Sequence, residues 1–303
     1  MTPLIALDLS ARELKFVEAE DQALTRQTSV VLSEAGFVDG MPTSTLAMAI
    51  KSSLKAGGFI ARVARVAIPD TGIAVRDFPL PAVPRRDLSR AVVFEGRRLV
   101  PMDASDVYYA WHATRTSFGY GVYLVAARRD MIDAIAAMIA AAGLRLEHMD
   151  LKPLALARGA DVSDGLVLEW MATEATLVLM VEGRPRFFRT FDLDAPADDI
   201  DGQLAELALT LDALVKFMRT AEPDVSIGAT TPLVLAGRFA FVDKGIEFAR
   251  DRFDFEVVSP LQQFTCPDDF PWQENLAGLG LLQPLRWFTR LTPSPRGDKR
   301  VAA

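Results

Sequence analysis

Apolar and polar positions alternate in short runs at the start of the chain. Residues 4–9, 14–18 and 24–32 read as three strands, and the apolar spacing then lengthens. Leu46, Ile50 and Leu54 recur at helical spacing, after the start signal Pro42-Thr43-Ser44 and before the stop signal Gly57-Gly58. An alternating strand over 62–68 ends at Pro69. The same order returns in the second half. Residues 166–170, 175–181 and 186–190 predict three strands, with Glu182-Gly183 as a tight hairpin turn. Leu204, Leu207, Leu211, Leu214 and Met218 form one apolar helical stripe, best read as core. A strand at 232–236, a helix at 242–252 and a strand at 255–258 follow. Strand-strand-strand-helix-strand, twice, predicts two similar lobes whose strand turns face a common cleft.

Between the halves lies additional material. Residues 76–84 are punctuated by prolines and predict extended or turning backbone. Residues 85–94 predict a short helix, 119–126 a strand, and 128–142 an alanine-rich helix capped by Asp130 and stopped by Gly143. The expected organisation is a first lobe over 1–75 and 148–165, a small αβ insert over 76–147, a second lobe over 166–292, and a flexible tail over 293–303.

Composition narrows the function. Half of the 303 residues are hydrophobic, enough for a two-lobed unit with substantial cores. The net charge of −7 opposes binding to a phosphate backbone, so no nucleic-acid partner is expected. The single cysteine, Cys266, allows no internal disulfide, which fits a reducing compartment. Neither a signal peptide nor an apolar run long enough to span a bilayer is read, so a cytoplasmic location is expected. His112 and His148 lack metal-ligand spacing, and no Ser–His–acid or Cys–His arrangement stands out; no catalytic and no metal residues are assigned.

The segment Leu7-Asp-Leu-Ser-Ala-Arg-Glu-Leu-Lys-Phe-Val-Glu18 resembles the first phosphate turn of actin-type ATPases. Together with Phe78-Pro-Leu-Pro81, Val100-Pro101-Met102, Val122–Ala127, Ala142-Gly143-Leu144, Met149-Asp150 and Leu235-Ala-Gly237, it resembles the PilM family of type IV pilus assembly proteins, over about residues 4–284. The resemblance implies an α/β, actin-like (RNase H-like) two-lobed fold with an inserted αβ subdomain. It implies nucleotide-site positions at Asp8, Ser10, Arg12, Lys15, Glu169, Met171, Gly237 and Arg238. At three of these the family's glycine is replaced, by Ser10, Met171 and Arg238. Glycine lets backbone N–H groups approach a phosphate, so a degenerate site is expected, with no cofactor. The alternative is an active ATPase, or nucleotide-gated switch, taking ATP and Mg. The resemblance further implies a scaffold at the inner face of the cytoplasmic membrane that binds the tail of a PilN-like bitopic protein in a groove beside the insert, near Arg76, Phe78 and Leu80. A GspL-like secretion platform is a related possibility. Leu285, Trp287, Phe288 and Leu291 near the C-terminus suggest packing on the second lobe or a partner contact, being too short for strong membrane binding.

Overall fold

A computed structural model describes residues 3–103, 106–221, 231–238, 243–253, 255–259, 264–267 and 270–283. The C-terminal stretch with Leu285, Trp287, Phe288 and Leu291, and the expected tail, lie outside the described residues.

Strands β1 (Leu4–Leu9), β2 (Glu13–Glu20) and β3 (Ala23–Val31) form an antiparallel meander. Two short strands, β4 (Phe37–Val38) and β5 (Met41–Pro42), lead into helix α1 (Ser44–Ala56). Thr43 caps α1, its hydroxyl accepting the Leu46 N–H, as the start signal predicts. Strand β6 (Val63–Ile68) returns parallel to β1. The buried carboxylate of Glu18 accepts the N–H groups of Ile60 at 2.8 Å and Ala61 at 2.7 Å, and so fixes the approach to β6.

The insert follows: β7 (Ile73–Pro81), α2 (Arg85–Leu99), β8 (Val107–Thr116), β9 (Gly119–Arg128) and α3 (Arg129–Ala141). Its sheet has the order β7-β9-β8. The proline-punctuated segment expected as extended or turning is therefore an edge strand, where Pro79 and Pro81 interrupt no central ladder. Asp130 lies inside the first turn of α3 and not at its cap, because β9 runs on to Arg128. Its carboxylate accepts the Met131 N–H at 2.7 Å.

Strand β10 (Arg145–Leu151) completes the first sheet, β10-β6-β1-β2-β3, and passes directly into α4 (Lys152–Ala160). The second lobe contains β11 (Gly165–Trp170), β12 (Glu174–Val181), β13 (Arg184–Asp192), α5 (Ile200–Ala221), β14 (Pro232–Gly237), α6 (Asp243–Phe253) and β15 (Glu256–Val258). Its sheet order, β13-β12-β11-β14-β15, repeats that of the first lobe element for element. Glu182 and Gly183 both have positive φ, as a two-residue hairpin between right-twisted strands requires. The stripe Leu204–Leu207–Leu211–Leu214–Met218 is buried against this sheet.

A last helix, α7 (Leu276–Leu282), is buried along its whole length against α4, in the cluster that also takes Ala6 and Val17 from the first sheet and Val167, Val178 and Val234 from the second. A Cβ on Gly280 would lie 1.8 Å from the Ala155 carbonyl oxygen, and one on Gly159 would lie 2.2 Å from that of Leu276. These glycines let α4 and α7 touch backbone to backbone, and the pair forms the floor under both lobes.

Candidate functional site

β1 and β11 hold equivalent central places, and each carries an acid one residue before its end, Asp8 and Glu169. The turns that follow are built alike. Ser10 N–H donates to the Glu13 carbonyl at 3.0 Å, and Met171 N–H donates to that of Glu174 at 2.8 Å. Leu32 N–H closes on the Arg12 carbonyl at 2.8 Å, and Leu193 N–H closes on that of Thr173 at 2.9 Å. The two turns meet across the cleft, where side chains from both contact Lys152.

The groups that meet there are side chains of opposite charge. The Lys152 ammonium, at the first residue of α4, lies 2.8 Å from Glu169 Oε2, 3.6 Å from Asp8 Oδ2 and 3.6 Å from Glu174 Oε1. It also donates to Ser10 Oγ. Lys15 Nζ lies 3.6 Å from Glu169 Oε1 and donates to the Glu274 carbonyl at 2.6 Å and to Met171 Sδ at 3.0 Å. Asp8, Lys15, Lys152 and Glu169 are all essentially sealed from solvent. Burial of this many charges is tolerable only because the signs interleave.

Protonation follows from that arrangement. Burial pushes Asp8 up to about 6; Lys152 and Lys15 pull it down, and Glu169 adds to the rise. Burial also acts to raise Glu169, but Lys152 and Lys15 outweigh it and hold its carboxyl below the ordinary range. Lys152 is raised: desolvation opposes its charge, and Asp8, Glu169 and Glu174 more than offset that. Burial raises Glu13 at the mouth of the first turn, against the pull of Lys15 and Lys152. Asp8 Oδ1 and both carboxylate oxygens of Glu169 lack a hydrogen bond among the described residues, and those of Glu169 are met by the two ammonium groups as ion pairs.

Of the residues assigned from the sequence, Asp8, Ser10, Lys15, Glu169 and Met171 come together here. Arg12 does not join them; its side chain is exposed, and only its carbonyl serves the turn. Gly237 and Arg238 end β14 beside Trp170. Gly237 has φ +73°, and a Cβ there would lie 2.2 Å from the Trp170 carbonyl oxygen, so this glycine serves a close backbone approach. The Arg238 guanidinium lies over the Trp170 ring, 5.3 Å from its centroid, and reaches Gln203 Oε1 at 3.4 Å. Gln203 in turn accepts the Trp170 indole N–H at 2.8 Å and donates to the Ala172 carbonyl at 2.8 Å, pinning the second turn to α5.

The groove residues sit differently from expectation. Phe78 and Leu80 are buried in the insert core beneath α2, because the alternation of β7 turns them inward. The Arg76 guanidinium donates to the carbonyls of Leu99 at 3.0 Å and Val75 at 2.8 Å. A cavity of about 200 Å³ does open beside the insert, between the first lobe, α3 and the end of β13. Phe37, Asp39, Met131, Ile135, Phe191 and Asp192 are among its walls, and Lys152 and Glu174 also line it.

Lys152, Glu174 and Gln203 were not singled out from the sequence. For Glu174 a signal exists: the spacing Glu169–Glu174 repeats Asp8–Glu13. His148 proves to be buried at 3.8 Å from Asp150, which Arg158 of α4 engages as its main ionic partner. Burial acts to raise Asp150, but Arg158 and His148 outweigh it and hold the carboxyl below the ordinary range. Among the described residues, no three His, Cys, Asp or Glu side chains are grouped so as to hold a metal ion, and no helix is long and apolar enough to cross a membrane.

Two repeated sheets facing a cleft, with an αβ insert in the first, define an actin-like, two-lobed α/β fold. Solved structures place the chain within that class. The PilM of a PilM–PilN type IV pilus biogenesis complex matches with a TM-score of 0.74 at 22% identity, over 92% of this chain and 97% of that one. The cytoplasmic domain of EpsL, an inner-membrane component of the type II secretion system of Vibrio cholerae, matches with a TM-score of 0.56 at 12% identity, over 96% and 98%. MreB5 of Spiroplasma citri bound to AMPPNP matches with a TM-score of 0.53 at 9% identity, over 92% and 95%. No family model and no curated protein matches the chain.

Proposed function

We propose that this chain is a scaffold of the type IV pilus platform, or of a related secretion platform, at the inner face of the cytoplasmic membrane. It binds the N-terminal cytoplasmic tail of a PilN-like membrane protein, and its own lysines hold its cleft closed in place of Mg-ATP. The observation that carries the first part is the extent of the likeness to the PilM of a PilM–PilN complex. It spans 92% of this chain at a TM-score of 0.74, against 0.53 for the nucleotide-bound MreB5. The buried lysine–carboxylate cluster supports the second part. The ammonium of Lys152 answers three carboxylates from both lobes, as a divalent cation does where nucleotide is bound.

The tail site is assigned to the cavity beside α3. Its apolar walls with Asp39 and Asp192 at the mouth suit an extended apolar peptide carrying a basic residue or its free amine. The test is fluorescence anisotropy with a labelled synthetic peptide of the partner's tail. Asp39→Lys together with Asp192→Lys, both at exposed positions, is expected to weaken binding by roughly tenfold. Unchanged affinity in that variant would move the site elsewhere; no binding by the parent chain would overturn the scaffold reading.

A further inference from the structure

The insert carries a surface that its role beside the cavity does not use. Helix α2 buries Leu88, Val92 and Gly96 on one face. The opposite face presents Arg86, Arg90, Phe94 and Arg97 in a row at helical spacing, all exposed. Phe94 is 74% exposed, although it is flanked by arginines that have every reason to be in water. The helix holds five arginines against two acids, in a chain whose net charge is −7. The tip of the β8–β9 hairpin continues the pattern. Thr116 and Gly119 bring that tip beside Pro81, just before α2 begins, and it carries exposed Arg115 and Phe118, the latter 90% exposed.

We infer that this face of the insert docks on an anionic bilayer surface, with the arginines among lipid phosphates and Phe94 and Phe118 at the level of the headgroups. Charge alone would suit any polyanion. The two exposed phenylalanines within the arginine field favour a bilayer interface, which accepts both kinds of group. Each basic side chain near an anionic membrane surface strengthens attachment by on the order of fivefold. A small excess of such charges therefore gives weak, reversible attachment, useful to a protein that is also tethered through a membrane-bound partner.

The experiment is co-sedimentation of the full chain with vesicles of phosphatidylcholine alone, or of equal parts phosphatidylcholine and phosphatidylglycerol. The chain is expected to pellet with the anionic vesicles only, and less as salt is raised. Arg86→Glu with Arg90→Glu should cut binding by more than about tenfold. Phe94→Ser should reduce it several-fold while leaving its salt dependence in place. Lys51→Glu with Lys55→Glu, at exposed positions of α1, should have little effect. Equal binding by the α2 double variant overturns the inference, as does retention on heparin without any binding to anionic vesicles. Tail-peptide binding is measured without vesicles, so failure here and failure of the scaffold reading are told apart.

Discussion

Lys152 decides the electrostatics of the cleft. Three carboxylates lie within 3.6 Å of its ammonium, and two of them, Asp8 and Glu169, are almost fully sealed from water. Removing one partner of a buried ionic group costs more than the group is worth as a whole, because the others remain buried and unbalanced. Lys152→Met is therefore expected to lose ~3–5 kcal/mol in urea denaturation. Adding Glu169→Gln should recover part of that loss, and strict additivity of the two changes would show that they do not interact. Asp8 allows a separate test. Its folded-state pKa, about 6, stands above its ordinary value of 3.8. A raised acid contributes stability that is fully present below the unfolded value and lost as pH rises through the folded one. Asp8→Asn removes this dependence, so the variant should gain on the parent between roughly pH 4 and pH 7, by up to ~3 kcal/mol. A difference between the two that stays flat across that range would assign the titration to another group.

The elements differ in how plainly the sequence announces them. The meanders and α5 are half-buried, so alternation and the Leu204–Met218 stripe mark them clearly. Helices α4 and α7 have no polar face to mark a period, because they are enclosed by both lobes; α7 is Leu-Ala-Gly-Leu-Gly-Leu-Leu and buried throughout. Strand β7 was obscured by prolines that an edge position tolerates, and with it the inward turn of Phe78 and Leu80 into the insert core. Strands β8 and β10 were not read from the sequence, although Gly119 follows the first and Gly143 precedes the second. The resemblance pointed to Asp8 and Glu169, and the two do occupy equivalent strand ends; their cation was not legible, because α4 delivers Lys152 from outside the repeat. The packing of α4 on α7 gives a contrast within one helix. Alanine in place of glycine favours helix by about 1 kcal/mol. At Gly278 the new Cβ would meet side chains alone, Val17 at 3.1 Å and Ala6 at 3.9 Å, whereas at Gly280 it would lie 1.8 Å from the Ala155 carbonyl oxygen. Gly278→Ala should thus be close to neutral in thermal denaturation, and Gly280→Ala should cost about 3 kcal/mol or more. Equal effects would mean that α4 and α7 separate more readily than their packing implies.

For the whole molecule, the question is what keeps two lobes together over a cleft. In an actin-type ATPase, closure depends on a ligand that both lobes grip. Here both acid-bearing turns already grip side chains of the chain itself, with Lys152 reaching Asp8 and Glu169 and with Met171 of the second turn accepting Lys15 of the first lobe. Mg-ATP would have to displace Lys152, expose buried carboxylates to phosphate of like charge, and move a methionine out of its path. The chain should therefore show no micromolar affinity for Mg-ATP. The measurement is sensitive: ligand at about 100 times its Kd stabilises a fold by ~2.7 kcal/mol, a shift of several degrees for a chain of this size. At about 1 mM Mg-ATP, a Kd near 10 μM would be plain in a thermal scan. No shift is expected for the parent. Ser10→Gly with Met171→Gly and Lys152→Gln opens both turns and removes the internal cation, and a nucleotide-dependent shift should emerge in that triple variant if the lysine is what excludes the ligand. A shift of several degrees in the parent itself would show that the cleft opens to nucleotide in spite of its lysines, and would favour the nucleotide-gated switch over the ligand-free scaffold.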